Sequence, residues 1–290
     1  MTEFAVFADY PCAFILVMGL FGLCIGSFLN VVIHRLPKMM EAEWRSQCAE
    51  LNGARPPESA ERLSLSTPRS RCPNCGRRLS VWENIPILSY VVQQGRCRGC
   101  RATIALRYAI VEALGGTAAA IAAWRFGLGT EAILAAVLSW GLIALSFIDL
   151  DTQFLPDSIT LALLWLGIAA NLFGQMTSLE ASVIGAMAGY LSLWLIYHAF
   201  RIVTGKEGMG YGDFKLLAML GAWLGWQSLP LVIMGSSLVG AVAGIALILF
   251  GGHERSKPIP FGPYLACAGW VALIWGGEII DSYFRWLPAP

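Results

Sequence analysis

The chain alternates long runs of apolar residues with short polar connections, and one polar segment is much longer than the others. The apolar runs fall at about residues 11–33, 108–124, 132–149, 159–174, 182–203, 214–227, 229–250 and 262–280. About 20 apolar residues span the hydrocarbon core of a bilayer as a helix. We therefore predict an all-α polytopic membrane protein with about eight transmembrane helices, of which the run at 214–227 is short and the run at 108–124 carries Glu112.

The first apolar run has the pattern of a retained helix rather than of a cleaved signal. Glu3 and Asp9 are the only charges before it, so it lacks the basic segment that opens a signal peptide, and it is longer than the apolar part of one. We predict a first transmembrane helix within residues 1–33, a polar insert at 34–107 and a membrane core at 108–290.

Composition agrees with a membrane protein whose charge is concentrated in the insert. The chain is 57% hydrophobic and only 13% charged, whereas soluble domains carry about 25% charged residues. The insert holds 13 of the 20 Lys and Arg residues and six of the 19 acids. This basic excess suits a domain that faces the cytoplasmic membrane surface. The net charge of +1 for the whole chain gives no reason to expect a nucleic-acid partner.

The distribution of Lys and Arg also predicts the orientation, because these residues are enriched on the cytoplasmic side. If the insert is cytoplasmic, that side holds 18 of the 20 basic residues, and only Arg125 and Arg285 fall outside. Both chain termini then lie outside. The same topology brings the end of the third apolar run and the start of the sixth to one face of the membrane.

The insert contains two Cys-x-x-Cys pairs, formed by Cys72 with Cys75 and by Cys97 with Cys100, and 21 residues separate the pairs. Four thiolates at this spacing suit tetrahedral coordination of zinc. A small loop domain without a large core needs such a constraint. Two disulfides are the alternative, which a cytoplasmic location disfavours. We predict a structural Zn²⁺ site, because four sulfur ligands leave no open position for catalysis.

Acidic residues stand where two apolar runs meet. Asp149 and Asp151 close the third run, and Asp157 follows Pro156 at the start of the fourth. Residues two apart point to different sides of a helix, so we expect only Asp149 to face a partner and Asp151 to be a solvated loop acid. Asp157 or Ser158 has the position of a helix N-cap, which gives Asp157 a purely structural explanation.

Asp213 opens the sixth apolar run after a turn that is rich in glycine. The glycines before it are Gly205, Gly208, Gly210 and Gly212. Glycines at this density exceed what helix capping needs, and they let a peptide backbone approach closely. Lys215 is a candidate charge partner, or else it reaches toward lipid headgroups. The alternative for Asp213 is a simple N-cap of the helix that follows.

Two carboxylates at one membrane depth indicate acid–base chemistry. Carboxylates at the ends of membrane segments are costly and tend to mark function. If Asp149 and Asp213 meet, one of them takes a proton from water in its ionised form, and the other donates a proton to a peptide carbonyl. Such a pair titrates as a unit, so neither acid needs a fixed role. The pattern predicts a membrane aspartyl protease, and a structural pair of charges is the alternative.

The segment 208–215 resembles the signature of type IV prepilin peptidases, which are bacterial GxGD intramembrane aspartyl proteases. Four further segments match the family in the same order, at residues 26–37, 82–86, 148–157 and 259–264. The resemblance covers essentially the whole chain. It implies that Asp149 and Asp213 are the catalytic aspartates and that Gly210, Gly212 and Lys215 belong to the active-site loop.

The resemblance implies cleavage of the basic leader of type IV prepilins and type II secretion pseudopilins. The cut falls on the cytoplasmic side of the bacterial inner membrane, after Gly and usually before Phe. Many members also methylate the new N-terminus with S-adenosylmethionine, and intact cysteine pairs are associated with these bifunctional members. Nothing in the sequence resembles the Gly-rich motif that usually binds this cofactor, so the surroundings of Asn30 and the insert are the places to search. Asp151 and Glu83 are candidates to attract the basic leader.

Two other classes of membrane protein also fit acids beside apolar helices. A transporter or channel would use glycine-broken helices, but it would not need the cysteine insert, and it would show internal repeats that are not found in the sequence. A non-enzymatic component of pilus assembly is the third interpretation. Loss of cleavage in Asp149→Ala and Asp213→Ala separates the enzyme from both.

Overall fold

A computed structural model describes residues 10–53, 63–206, 208–250 and 260–286 of the chain. Glu3, Asp9 and Ile259, which take part in the sequence argument, lie outside the described residues, as does part of the insert. Within the described ranges the protein is helical and contains no β-strand. The predicted all-α class is therefore confirmed.

Nine α-helices are described, together with two short 3-10 helices at Val81–Asn84 and Trp226–Ser228. The α-helices are α1 (Pro11–Leu51), α2 (Leu88–Val92), α3 (Leu106–Phe126), α4 (Thr130–Thr152), α5 (Asp157–Leu172), α6 (Leu179–Thr204), α7 (Tyr211–Leu224), α8 (Leu229–Phe250) and α9 (Gly262–Trp286).

Six of these helices are long and apolar enough to cross a membrane, namely α1, α3, α4, α6, α8 and α9. Helix α5 has 16 residues and α7 has 14, so both are shorter than the roughly 20 residues that a bilayer needs. The predicted count of eight spanning helices is therefore not confirmed. Helix α1 differs from its prediction in another way, because it continues without a break through Pro37 to Leu51.

The chain forms two compact units, Met1–Leu128 and Gly129–Pro290. In the first unit, α1 and α3 lie so close that a Cβ atom on Gly22 would be 2.5 Å from the carbonyl oxygen of Gly115. A Cβ atom on Gly26 would be 2.7 Å from the backbone of α3. Small residues spaced four apart allow this approach between membrane helices. The glycines therefore fix how α1 and α3 pack.

Helix α7 forms the centre of the second unit and contacts α5, α6, α8 and α9. Its fully buried side chains are Phe214, Leu216, Leu217, Met219, Leu220, Ala222 and Trp223. Gly185 of α6 meets Gly221 of α7 so closely that a Cβ atom on Gly185 would be 2.3 Å from the Gly221 carbonyl oxygen. A helix too short to span a bilayer can lie at membrane depth when protein surrounds it.

The C-terminal end of α7 is closed by side chains from neighbouring helices. The last carbonyl groups of a helix have no partner within it. Asn171 of α5 donates to the Ala222 carbonyl at 2.8 Å, and the Ser182 hydroxyl of α6 donates to the same oxygen at 2.5 Å. These bonds let α7 end inside the unit, and they fix its N-terminal turn, where Asp213 lies, relative to α5 and α6.

Candidate active site and metal centre

Asp149 lies in the last turns of α4 and is buried, with 5% of its surface exposed. Asp151 also lies in α4, but it is exposed. The opposite placement of the two acids agrees with their spacing of two residues. The helix continues to Thr152, so Asp151 is part of its final turn rather than of a loop.

Asp213 lies in the first turn of α7 and is 7% exposed. The N-cap of α7 is Gly210, and the Asp213 N–H donates to the Gly210 carbonyl at 3.2 Å. The simple N-cap alternative for Asp213 is therefore wrong. A negative charge in the first turn is stabilised by the positive end of the helix dipole.

The structure brings the helix ends that carry the two aspartates close to one another, because Leu155 packs against the starts of α7 and α9, and the Gly262 N–H of α9 binds Asp149. Both carboxylates are buried in the second unit, at the ends of different helices. Leu155 packs beside the first turns of α7 and α9. A Cβ atom on Gly212 of α7 would lie 3.0 Å from Leu155 Cβ, and one on Gly262 of α9 would lie 3.4 Å from Leu155 Cδ2. Like charges in a buried site resist joint ionisation, which favours one shared proton.

Asp157 and Lys215 form an ion pair at this same end of the helices. The Lys215 Nζ lies 2.7 Å from both carboxylate oxygens of Asp157. The N-cap of α5 is Pro156, with Asp157 as the first helical residue, so the prediction that Asp157 caps the helix is wrong. Of the two predictions for Lys215, charge partner or headgroup contact, the structure supports a charge partner, but that partner is Asp157.

Gly262 is a contact of Asp149 that the sequence does not reveal. Its N–H donates to Asp149 Oδ2 at 3.0 Å, across a separation of 113 residues. The segment 259–264 is part of the family resemblance, and that was the only signal pointing to this region. The N-terminus of α9 therefore completes the surroundings of the aspartates.

The four paired cysteines of the insert form one cluster, with their Sγ atoms all within 4.8 Å of one another. The Sγ atoms of Cys72 and Cys100 are 3.8 Å apart, the edge of about 3.8 Å that a tetrahedron with Zn–S bonds of about 2.3 Å requires. All eight cysteines of the chain lie in the described part and none forms a disulfide there. The four thiols could hold a metal ion.

Hydrogen bonds prepare at least one of these thiols for a metal. The backbone N–H of Ala102 and the side-chain amide of Asn74 lower the pKa of Cys100 to about 6. The Asn74 Nδ2 lies 3.6 Å from the Cys100 sulfur. A metal binds the thiolate and not the thiol, so these donors favour the form that coordinates.

Glu83 ties the two cysteine pairs together. It is only 6% exposed and accepts two hydrogen bonds from Arg77, at 3.0 and 3.1 Å. Arg98, between the cysteines of the second pair, lies 3.9 Å away. The N–H of Ser80, followed by Arg77, holds the pKa of Glu83 below its usual value. A buried and paired carboxylate cannot attract a substrate leader, so that prediction for Glu83 is wrong.

The insert is also bound to the membrane helices of the first unit. The N–H of Ile87 in the insert donates to the Glu112 carboxylate of α3 at 2.8 Å. The helices themselves are linked by Asn30 of α1, which donates to the Tyr108 carbonyl of α3 at 3.0 Å. Glu112 is the charge that stood out in the second apolar run. Its partner explains how α3 tolerates a carboxylate near its start.

Comparison with known proteins covers nearly the whole chain. Residues 20–126 match the model of the bacterial peptidase A24 N-terminal domain, and residues 136–245 match the model of the type IV leader peptidase family. The prepilin leader peptidase/N-methyltransferase of Pseudomonas aeruginosa is 51% identical over 96% of both chains. Proteins of the same name from Aeromonas hydrophila and Legionella pneumophila are 54% and 43% identical, over 95% and 96% of this chain and 94% and 97% of their own. No solved structure matches the chain. With matches of this identity along almost its entire length, the chain belongs to the type IV leader peptidase family.

Proposed function

We propose that this protein removes the leader of type IV prepilins and pseudopilins and then methylates the new N-terminus. The observation that carries the peptidase activity is the pair of buried, interacting aspartates, Asp149 and Asp213. Relatives that are about half identical over their full length carry the name prepilin leader peptidase/N-methyltransferase. Both activities enter this proposal through those relatives.

The proposed chemistry is hydrolysis by an aspartate pair. One ionised carboxylate removes a proton from water, and the oxygen of that water attacks the scissile carbonyl carbon. The other carboxylic acid donates its proton to the carbonyl oxygen. The tetrahedral intermediate collapses when the leaving nitrogen takes a proton and the C–N bond breaks. The burial of both acids supports this mechanism, because it keeps one proton on the pair.

The proposed substrate places its scissile bond near the membrane surface, since a prepilin has a basic leader followed by an apolar helix. We place the site on the cytoplasmic side of the bacterial inner membrane, where the Lys and Arg distribution puts the insert. The turn is open beside Gly210, where an added Cβ atom would meet no atom within 4 Å, and this space supports the approach of an extended peptide backbone. The aspartates lie at helix ends and not in the middle of long helices, which suits a bond at the interface.

We also propose that Cys72, Cys75, Cys97 and Cys100 hold a structural Zn²⁺ ion, which the arrangement of their sulfur atoms supports. The metal would link the two Cys-x-x-Cys turns and supply no reacting group, because all four positions are taken by sulfur. S-adenosylmethionine is the proposed methyl donor, in accord with the name of the relatives.

The test is mass spectrometry of a prepilin coexpressed with the wild type, Asp149→Ala, Asp213→Ala and Asp281→Ala. Asp281 is an exposed carboxylate on α9 and serves as the matched control. We expect leader loss and methyl addition with the wild type and Asp281→Ala, and an intact prepilin with the other two variants. Leader loss without a methyl group would remove only the methyltransferase. If the wild type leaves the prepilin intact, or if both aspartate variants still cleave it, the proposed peptidase activity is wrong. The transporter and the non-enzymatic assembly component would then be the remaining interpretations.

A further inference from the structure

We propose that Gly262 is a positioning residue of the peptidase site, whose backbone N–H orients the Asp149 carboxylate and stabilises its ionised form. This inference rests on the proposed function and adds to it the backbone group that holds one of the two carboxylates in place. The juxtaposition that carries it is the N-terminus of α9 against the C-terminal end of α4.

The hydrogen bond connects the C-terminal end of α4 to the N-terminus of α9, and each end supplies what the other lacks: a negative charge and a free N–H donor. Asp149 lies near the C-terminus of α4, where the helix dipole disfavours a negative charge. Gly262 is the first residue of α9, and its N–H has no partner within that helix. The Gly262 N–H donates to Asp149 Oδ2 at 3.0 Å in a buried position. The positive end of α9 therefore offsets the unfavourable end of α4.

The space around this bond explains why residue 262 is glycine. A Cβ atom at this position would lie 2.6 Å from Asp149 Oδ2 and 3.1 Å from Asp149 Cγ. Any side chain would therefore push the carboxylate away from the N–H. Pro263 follows as the second residue of α9, and its fixed φ is favourable in the first turn of a helix. The turn is thus built to hold the N–H toward Asp149.

The bond affects both the position and the charge of Asp149. A hydrogen bond donated to a carboxylate favours its charged form. Asp213 has a backbone contact of its own, from Gly210, within the same turn of the chain, whereas the donor to Asp149 comes from a different helix. Of the other charged groups at this end, Lys215 is held by Asp157, and Asp151 is exposed. The Gly262 N–H therefore holds Asp149 in one orientation and favours its ionised form, the form that takes a proton from water.

The experiment measures kcat/KM against pH for the full-length purified enzyme on a synthetic prepilin peptide. The variants are Gly262→Ala and, as the matched control on the same helix, Gly277→Ala, where an added Cβ meets no atom within 4 Å. Loss of the bond destabilises ionised Asp149, so we expect the acidic limb of the profile to move to higher pH. A misplaced catalytic group costs up to about 100-fold, and we expect a loss of at least about 10-fold in kcat near neutral pH, with KM little changed. Gly277→Ala should match the wild type.

Folding of Gly262→Ala is checked through the second activity, methylation of a synthetic peptide that already has the mature N-terminus. If Gly262→Ala loses that activity as well, the pH profile is measured for Pro263→Gly instead, because this change adds no atom near Asp149 but loosens the turn. We expect the acidic limb of the Pro263→Gly profile to move to higher pH as well, but by a smaller amount.

An unchanged acidic limb in the variant that folds, or a kcat within about two-fold of Gly277→Ala, overturns the inference, since a lost bond at 3.0 Å must affect ionised Asp149. Asp149→Asn and Asp213→Asn in the same assay separate this failure from that of the proposed function. If both cleave like the wild type, the peptidase proposal fails. If both are inactive while Gly262→Ala is normal, only the role of Gly262 fails.

Discussion

At the scale of single residues, two glycines of the same turn differ in the space around them. A Cβ atom on Gly212 would lie 3.0 Å from Leu155 Cβ, whereas one on Gly210 would meet no atom within 4 Å. Gly210 also has φ −81° and ψ 148°, a conformation that alanine adopts readily. We predict that Gly212→Ala lowers prepilin cleavage several-fold more than Gly210→Ala, because the added methyl displaces Leu155 or the start of α7.

The physical cost of that displacement is about 1–3 kcal/mol, as for other overpacked sites. Cleavage rates of a prepilin peptide and thermal unfolding of both variants measure it. If Gly210→Ala is damaged as much as Gly212→Ala, the contact with Leu155 is not the reason for glycine at residue 212.

Residue spacing predicted some features of the site, but not the pairings between distant residues. The two-residue spacing of Asp149 and Asp151 correctly separated a buried acid from an exposed one. Lys215 is 58 residues from Asp157, and the composition around Asp213 pointed to a nearer partner. The bond from Gly262 to Asp149 spans 113 residues and uses a backbone N–H, which has no signature in the sequence.

At the scale of elements, the apolar runs predicted where the helices lie but not how long they are. Helix α1 continues to Leu51 because the polar residues after the apolar run still favour a helix and a single Pro37 does not end it. The short α5 and α7 are apolar for another reason. Helix α7 is almost entirely buried by other helices, and α5 packs one side against α6 and α7 while side chains such as Trp165 stay exposed. Hydropathy cannot distinguish burial in protein from burial in lipid, so it predicted eight spans.

The ion pair of Asp157 and Lys215 links the first residue of α5 to the first turn of α7. Its side chains are 49% and 32% exposed, so we expect a coupling energy of only about 0.2–1 kcal/mol. We predict that Asp157→Asn and Lys215→Met each reduce cleavage a few-fold and that the double variant is no worse than the poorer single one. Lys215 lies two residues after Asp213 in α7, so a looser start of α7 would shift the carboxylate that we propose as catalytic.

A double-mutant cycle on kcat/KM for prepilin cleavage measures this coupling. Lys206→Met, which removes an exposed cation before the turn, serves as the control. Additive losses in the double variant would show that the pair does not act as a unit.

At the scale of the whole molecule, the cysteine cluster and the aspartate pair belong to different compact units. The cysteines lie within Met1–Leu128 and the aspartates within Gly129–Pro290. The two family models divide at nearly the same place, between residues 126 and 136. The proposed hydrolysis site and the proposed metal site thus lie in separate parts of the chain, so we expect damage to one site to affect the other less.

Cys72→Ser tests this division, because it removes one of the four sulfur atoms that we propose as zinc ligands. We predict that the variant loses bound zinc, measured by elemental analysis of the purified protein. The insert should then become sensitive to trypsin, which cleaves after its many arginines. We expect the ion pairs of Glu83 to be too weak to replace the metal, because the side chains of its arginine partners are 44% and 55% exposed.

Cleavage of a prepilin should fall less in Cys72→Ser than in Asp149→Asn, since the insert supplies no group to the hydrolysis. The control is Cys48→Ser, which changes an exposed cysteine of α1 outside the cluster and should keep both zinc and resistance to trypsin. A Cys72→Ser protein that lacks zinc and still resists trypsin would show that the insert folds without the metal. A loss of cleavage as complete as that of Asp149→Asn would show that the peptidase site depends on the first unit, so that neither unit works alone.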